Sequence, residues 1–386
     1  MRRKIIFVYS RSRSRHKAYF EKLKRNLNID EKIHLVSHRR LELNFCFVGY
    51  RTQCKELVLN IIELEQSKRA SKNKPPLTSM GKLLLGISSR IRFYSFLAFF
   101  KGLPEDSVVC MWNGSGRKLK PIVLAAELTH SKTLFFENGV FKNTTTADPT
   151  GVNALSSLVR DSDYYKRGFS RQGAEENSKL ELQNRTSGKT GRISKPERYI
   201  FVPFQVDSDS QIIRHSPMLN NMSELFDLIH AELDNVIKYN IKFVLKEHPN
   251  SRNNYERLHK KSKDIIFINE LTTEELIKDS LGVITINSTV GLEAFMLGKS
   301  VLILGRAFYD FLHGVRSITE LSIPEWVSEL DSFSPDRELI DSFTFYLKHH
   351  YLIPGDWREP TKEHYIALRK RLLVIIGNPA GWTAFD

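Results

Sequence analysis

Cysteine is scarce in this 386-residue chain, with only Cys46, Cys54 and Cys110. An odd count builds no disulfide framework, and Cys46 and Cys54 are too far apart for a paired metal-ligand loop. The three read as core residues of a protein kept in a reducing compartment. Long apolar runs are missing as well; none approaches the ~20 residues that cross a bilayer. The basic start leads into Ile5-Ile6-Phe7-Val8-Tyr9, as a leader peptide would. The stretch then stops at Ser10-Arg11-Ser12-Arg13, so it is read as a first strand and a cytoplasmic location is expected. Acidic residues are in deficit, 44 against 58 basic ones, for a net charge of +14. The excess favours anionic partners. Without a reader motif or basic residues interleaved with stacking aromatics, nucleic acid is not among those expected.

What is present is a recurrent alternation of short apolar runs with helical patterns, the signature of α/β folds with parallel sheets. Strands are expected at residues 4–9, 44–49, 107–111 and 133–136, with helices at 17–26, 54–70 and 118–128. Residues 71–79, with Pro75-Pro76, read as an exposed loop. Residues 81–100 mix Arg90 and Arg92 with Leu, Phe and Tyr, which suits a buried helix or an interfacial basic one that touches a membrane surface. Residues 168–196 carry few large apolar side chains and are expected to be a mobile loop or linker. Beyond them strands are expected at 199–204, 242–246, 265–268, 282–286 and 300–304, and helices at 221–238, 254–261, 273–278 and 290–297. The pattern predicts two Rossmann-like domains facing a cleft. Residues 1–195 form the first, and residues 196–386, ending in C-terminal helices, form the second.

Ligands of open α/β sheets sit beyond the carboxyl ends of strands. Four such loops are rich in polar residues. The first contains Glu137, Gly139, Asp148 and Asn153; the second Gln205, Asp207, Asp209 and Gln211, with Arg214 and His215 close behind. The third is Lys246-Glu247-His248-Pro249, where Pro249 ends the strand. The fourth, Asn287-Ser288-Thr289-Val290-Gly291, leads straight into a helix. Ser288 or Thr289 can simply cap that helix, or the same hydroxyls and free N–H groups can hold a phosphate or carboxylate. His248 can donate to a phosphate and Lys246 can neutralise it, although an incidental or structural histidine fits the same spacing. Glu137 and Asp209 suit the paired carboxylates of a sugar-transfer site; spacing alone equally suits a turn cap and an Asx-rich loop.

Several of these residues, in this order, resemble the capsule polysaccharide biosynthesis family of KpsS and KpsC type, the bacterial β-Kdo transferases. The resembling pieces are Glu137-x-Gly139, Gly151-Val152-Asn153-Ala154-x-Ser156-Ser157-Leu158, Gln205-Val206 with Asp209-Ser210-Gln211, and His215-Ser216. Lys246-x-His248-Pro249, Thr285-Ile286-Asn287-Ser288-Thr289 with Gly291, and Gly305-x-Ala307-x-Tyr309-Asp310 follow. The resemblance implies a GT-B-like arrangement and a retaining glycosyltransferase that uses CMP-Kdo as donor, with no metal or other cofactor. It places the nucleophile on Asp209, with Asp207 as the fallback, and the acid/base on Glu137 or Asp148. His248, Ser288 and Thr289 would hold the donor's phosphate or carboxylate, with Lys246 or Arg214 neutralising charge. The acceptor implied is a glycan or glycolipid at the inner face of the cytoplasmic membrane. Val140-Phe141-Lys142-Asn143 departs from the commonest family pattern, in which an arginine-proline pair follows the glycine, so the acceptor stays open. Two other readings remain: the same fold with CMP-sialic acid or an NDP-hexose as donor, or a non-catalytic scaffold of a polysaccharide assembly complex.

Overall fold

The computed structural model describes residues 4–10, 13–41, 49–72, 74–176, 194–251 and 253–377. They divide into two compact units. One runs to Leu158 and resumes at His350; the other is Val159–His349.

The first unit opens with β1 (Lys4–Tyr9), α1 (Ser14–Asn26), β2 (Lys32–Ser37), α2 (Arg51–Ala70) and α3 (Ser79–Lys101). Then come β3 (Val108–Trp112), α4 (Lys120–Leu128), β4 (Lys132–Asn138) and β5 (Thr144–Asp148). In β1 and β3 nearly every residue is buried, because helices cover both faces of the sheet. Strand alternation then sends successive side chains to opposite cores. Ile5, Phe7, Val108 and Cys110 join Tyr19, Phe20 and Leu23 of α1. Ile6, Val8, Val109 and Met111 join Leu57 and Ile61 of α2 and Phe93, Phe96 and Phe100 of α3.

The second unit contains α5 (Ser162–Glu176), β6 (Tyr199–Pro203), α6 (Ser210–His215), α7 (Met222–Ala231), α8 (Leu233–Ile237) and β7 (Lys242–Lys246). It continues through α9 (Glu256–His259), β8 (Ile265–Phe267), α10 (Thr273–Asp279), β9 (Gly282–Thr285), α11 (Thr289–Met296) and β10 (Ser300–Ile303). It ends with β11 (Val315–Ser317), α12 (Ile323–Glu329) and α13 (Arg337–Tyr346). The chain then returns to the first unit as β12 (Leu352–Pro354) and α14 (Lys362–Gly377).

The sheet orders are β12-β5-β4-β3-β1-β2 and β11-β10-β9-β6-β7-β8. The second sheet is parallel throughout; in the first, β4–β5 and β5–β12 pair antiparallel. This is the α/β class expected, with a Rossmann-type sheet in each unit.

The domain division differs from the expected break at 195/196. Residues 162–176 are helical and pack in the second unit, whereas residues 168–196 had been assigned to a loop; residues 177–193 of that stretch lie outside the described residues. Aromatic packing is the reason. Tyr165 is fully buried, with ring centroids 4.8 Å from Phe343 and 5.0 Å from Tyr346. At the other end, Leu368, Leu372, Ile375 and Ile376 of α14 enter the core beneath β1, β3 and β4, which makes this helix part of the first unit.

Smaller differences have local causes. The strand expected at 44–49 falls almost wholly outside the described residues. Strand β2 was not anticipated, because its edge position leaves Lys32 and His34 exposed and breaks the apolar run. The β-branched Thr144-Thr145-Thr146 run had been read as loop and is a strand paired with β4. The helix expected at 221–238 is interrupted at Glu232.

By length and composition α3 is long and apolar enough to cross a membrane, a property that counting uninterrupted apolar runs had missed. Its second half is nevertheless core: Phe93 and Phe96 are 0% exposed. Its first half leaves Met80, Leu83, Leu84 and Ile87 exposed.

Candidate functional site

In the second sheet the chain runs β6, β7, β8 to one side and then crosses back over β6 to β9, β10 and β11. The reversal falls between β6 and β9, and the carboxyl ends of strands at such a point are where α/β sheets bind ligands. Two of the polar loops found in the sequence meet there. Gln205 Nε2 donates to Asn287 Oδ1 at 3.0 Å, and the Asn287 backbone N–H returns a bond to Gln205 Oε1 at 3.2 Å. Asn287 Nδ2 also donates to the carbonyls of Gln211 (3.0 Å) and His215 (3.3 Å). Gln205 and Asn287 are both buried, so this pair sets the distance between the loops.

The loop after β10 closes on the same point. The Arg306 N–H donates to the His215 carbonyl at 2.7 Å. Gly305 allows that approach, since a Cβ there would lie 2.6 Å from the His215 oxygen. Tyr309 donates to the Ser288 carbonyl and lies against Gly291, where an added Cβ would come within 2.3 Å of the phenol oxygen. Asp310, from the same stretch, is held by Arg160 at 2.9 Å. The tyrosine contact was the least legible from sequence, where Tyr309 was only one residue of a short motif.

The carboxylates of this loop have different surroundings. Asp209 is exposed and caps α6, accepting from the Gln211 N–H at 3.0 Å. Asp207 is buried and accepts from the Met222 N–H (2.9 Å), Asn253 Nδ2 (2.6 Å) and the Tyr255 hydroxyl (3.4 Å). Burial pushes its pKa up against these hydrogen bonds. The arrangement makes Asp207 a strut between α7 and the loop after β7. Neither Asn253 nor Tyr255 stood out in the sequence.

Lys246 and His248 also separate. The Lys246 ammonium donates to the carbonyls of Asn269 (2.5 Å) and Leu271 (2.7 Å), and burial lowers its pKa. It thereby ties β7 to the loop before α10. His248 accepts from the Asn250 N–H through Nδ1 at 3.1 Å. With Nδ1 accepting, a neutral ring carries its proton on Nε2, which makes that atom a donor. Pro249 is exposed beside it. Ser288 caps α11 by accepting from the Val290 N–H at 3.2 Å, and Thr289 begins the helix; both are partly exposed. Arg214, on α6, has Nε and one terminal nitrogen buried without a hydrogen-bond partner among the described residues. Burial alone lowers its pKa to about 10.

In the first unit Glu137 is the next-to-last residue of β4. Asn113 Nδ2 donates to its Oε2 at 2.6 Å, and the Asn138 backbone and side-chain N–H groups reach Oε1 at 2.9 and 3.0 Å. Asn113, just after β3, had not been singled out. Gly139 lies inside the β4–β5 connection, where a Cβ would be 2.0 Å from Thr144 Oγ1. Asn153 takes a left-handed φ of 57° and starts a short 3₁₀ turn.

Asp148 is fully buried. It accepts from Thr150 N–H and Oγ1, Gly151 N–H, Ser157 N–H and Oγ, and the Tyr351 hydroxyl, at 2.8–3.0 Å. A carboxylate so enclosed fastens residues 150–157 to the returning chain at Tyr351. That geometry assigns Asp148 to loop architecture, which sets it apart from Glu137. Among the described residues no group of three or more His, Cys, Asp or Glu side chains is placed to hold a metal ion.

Two α/β units, the second with its polar loops paired at a sheet reversal, define the class as an α/β protein with a candidate site at its strand ends. Residues 130–357, more than half of the chain, match the model of the capsule polysaccharide biosynthesis protein family, and the chain belongs to that family. It is 34% identical over 271 residues to protein FixF of Sinorhizobium fredii, covering 70% of this chain and 65% of FixF. It is 29% identical over 160 residues to the capsule polysaccharide export protein KpsS of Escherichia coli, covering 39% of this chain and 40% of KpsS. The chain thus spans less than two thirds of each of these relatives. Among solved structures it is similar to KpsC, the β-Kdo 2,7 transferase of Thermosulfurimonas dismutans. There the TM-score is 0.42 and the identity 15%, covering 88% of this chain and 89% of that one.

Proposed function

We propose that the chain is a GT-B-type glycosyltransferase of bacterial surface polysaccharide synthesis. It moves Kdo from CMP-Kdo to a glycan or glycolipid acceptor with retention of configuration. The observation that carries the reading is the exposed carboxylate of Asp209, which caps α6 directly after the loop fixed by Gln205 and Asn287. In the reaction proposed, an Asp209 oxygen attacks the anomeric carbon. The bond to the CMP phosphate breaks with its electron pair, and a glycosyl ester forms. The acceptor hydroxyl, deprotonated by a general base, then displaces Asp209, and two inversions give net retention.

The donor brings a phosphate and a carboxylate into the second unit. Arg214 supports this, being a desolvated cation with buried donors unfilled among the described residues. His248 Nε2 and the Ser288–Thr289 helix start are further donors for those groups. No metal or other cofactor enters the scheme.

The protein works at the inner face of the cytoplasmic membrane in this reading. The support is the first half of α3, where Met80, Leu83, Leu84 and Ile87 are exposed and no acidic residue occurs from Ser71 to Lys101.

The test is intact-protein mass spectrometry after incubation with CMP-Kdo, for the native chain and Asp209→Asn. A Kdo-sized adduct on the native chain and none on the variant is the expected result. A chain that neither binds nor cleaves CMP-Kdo overturns the donor assignment and directs the search to other nucleotide-sugars.

A further inference from the structure

The first sheet has its own reversal, between β1 and β3, because β2 lies on the far side of β1. Three turns leave the carboxyl ends of β1, β2 and β3 side by side. They carry Arg13, then His38 and Arg39, then Asn113, Arg117 and Lys118. Hydrogen bonds tie the first two turns to each other and to α3. The His38 N–H donates to the Tyr9 carbonyl at 2.9 Å, and Arg92 of α3 donates through Nε to the His38 carbonyl at 3.0 Å. Arg117 approaches Glu65 of α2 at 3.3 Å.

Apart from Glu65, the charges named at this edge are all cationic. After burial, the charges that depress the Lys118 pKa are Arg117, Arg39, Arg92 and Arg13. Those acting on Arg92 are Arg117 and Arg39. Helix α4, nine residues long, starts here without a side-chain cap or an acidic residue in its first turn. Lysines at 118 and 120 stand where a helix dipole favours carboxylates. Breaking a local charge rule at a sheet reversal is the mark of a site rather than of a stabilising surface.

A second observation is independent of these charges. The His38 side chain is 1% exposed, and its Nε2 is buried without a hydrogen-bond partner among the described residues. Its Nδ1 faces the Tyr9 carbonyl at 3.2 Å, so in the neutral ring Nδ1 holds the proton and Nε2 a bare lone pair. Burial, and then Arg92, Lys118 and Arg39, bring its pKa down to about 4 although the Tyr9 contact opposes the shift. An oxyanion among these cations would reverse the local field, let the ring take a proton, and turn Nε2 into a donor.

We infer that the carboxyl edge of β1, β2 and β3 is a second binding site, for a phosphate-class oxyanion, formed by Arg39, Arg92, Arg117 and Lys118 together with His38, whose carbonyl holds Arg92. The site is independent of the donor reading and would stand if that reading failed. The oxyanion can belong to a soluble phosphate compound or to a phospholipid head; the chemistry is the same.

Isothermal titration calorimetry of the full chain at low salt separates the two sources. Inorganic pyrophosphate and monomeric dihexanoyl phosphatidylglycerol serve as probes. The native chain is expected to bind, and Arg117→Gln/Lys118→Gln to bind at least tenfold more weakly, with an unchanged urea midpoint. The charge-keeping variant Arg117→Lys/Lys118→Arg is expected to retain binding, which excludes misfolding as the cause. Tighter binding of the lipid assigns the anion to a lipid head, and tighter binding of pyrophosphate to a soluble compound; both uphold the site. If neither probe binds, or if the double glutamine variant binds as tightly as the native chain, the inference is overturned.

Discussion

Gln205 and Asn287 are 82 residues apart in sequence and exchange two hydrogen bonds across the reversal of the second sheet. Each amide faces the other with donor against acceptor, and Asn287 spends its remaining donor on the Gln211 and His215 carbonyls. The loop that bears Asp209 and the helix start at Ser288 are thereby fixed to each other. Asn287→Ala removes this joint and strands a buried amide, at a cost of about 1–3 kcal/mol. The expected outcome is a lower urea midpoint together with weaker CMP binding, measured by calorimetry. Unchanged CMP affinity would remove this pair from the proposed nucleotide site.

Asp207 and Asp209 are two residues apart, and their substitutions are expected to fail in opposite ways. Asp209→Asn keeps a capping side chain, so stability should change by less than about 0.5 kcal/mol. Transfer should fall at least a thousandfold if Asp209 is the nucleophile. Asp207→Ala leaves the Met222 N–H, Asn253 and Tyr255 without their acceptor and is expected to cost about 1–3 kcal/mol. Chemical denaturation beside an activity assay reads both. A stable but inactive Asp207→Ala would move the catalytic role to Asp207.

Gly291→Ala tests the packing behind the Ser288 loop. The new methyl would stand 2.3 Å from the Tyr309 hydroxyl oxygen and 3.0 Å from Thr285 Cγ2. Overpacking of this kind costs about 1–3 kcal/mol. Because Tyr309 also donates to the Ser288 carbonyl, thermal denaturation should show the loss and Tyr309→Phe/Gly291→Ala should recover part of it. Additive losses in the double variant would contradict the contact.

The His38 pKa lies near 4 in the folded chain against 6.5 for the ordinary group. Between these values the unfolded chain binds the extra proton, so this group's contribution is full above pH 6.5 and is lost as pH falls toward 4. Urea midpoints at pH 7 and pH 5 are expected to show a smaller acid loss for His38→Gln than for the native chain. An equal loss in both would assign the acid sensitivity elsewhere.

Membrane contact is tested on the exposed half of α3. Leu83→Glu/Leu84→Glu places two carboxylates on residues that are 56% and 59% exposed, so the fold should hold. Co-sedimentation with vesicles containing anionic lipid is expected to fall severalfold relative to the native chain. Equal sedimentation would rule out this face.

The α/β class, and nearly every strand of the second sheet, followed from the sequence alone. Apolar runs such as residues 242–246 and 300–303 form wherever a parallel strand is covered on both faces, and that is a local property of the chain. The polar loops at the strand ends were legible for the same reason, as were Asp209 and the Asn287–Thr289 turn. Only tertiary structure separated residues of similar chemistry within those loops. Asp207 differs from Asp209 because Asn253 and Tyr255, 46 and 48 residues further on, enclose it. Asp148 differs from Glu137 because Tyr351, 203 residues further on, helps to bury it. Tertiary packing also moved the domain boundary, through the aromatic contacts of Tyr165 and the return of α14. Strand patterns are written in neighbouring residues, whereas burial, which turns a carboxylate into a strut or leaves it open to a substrate, depends on partners far away in sequence.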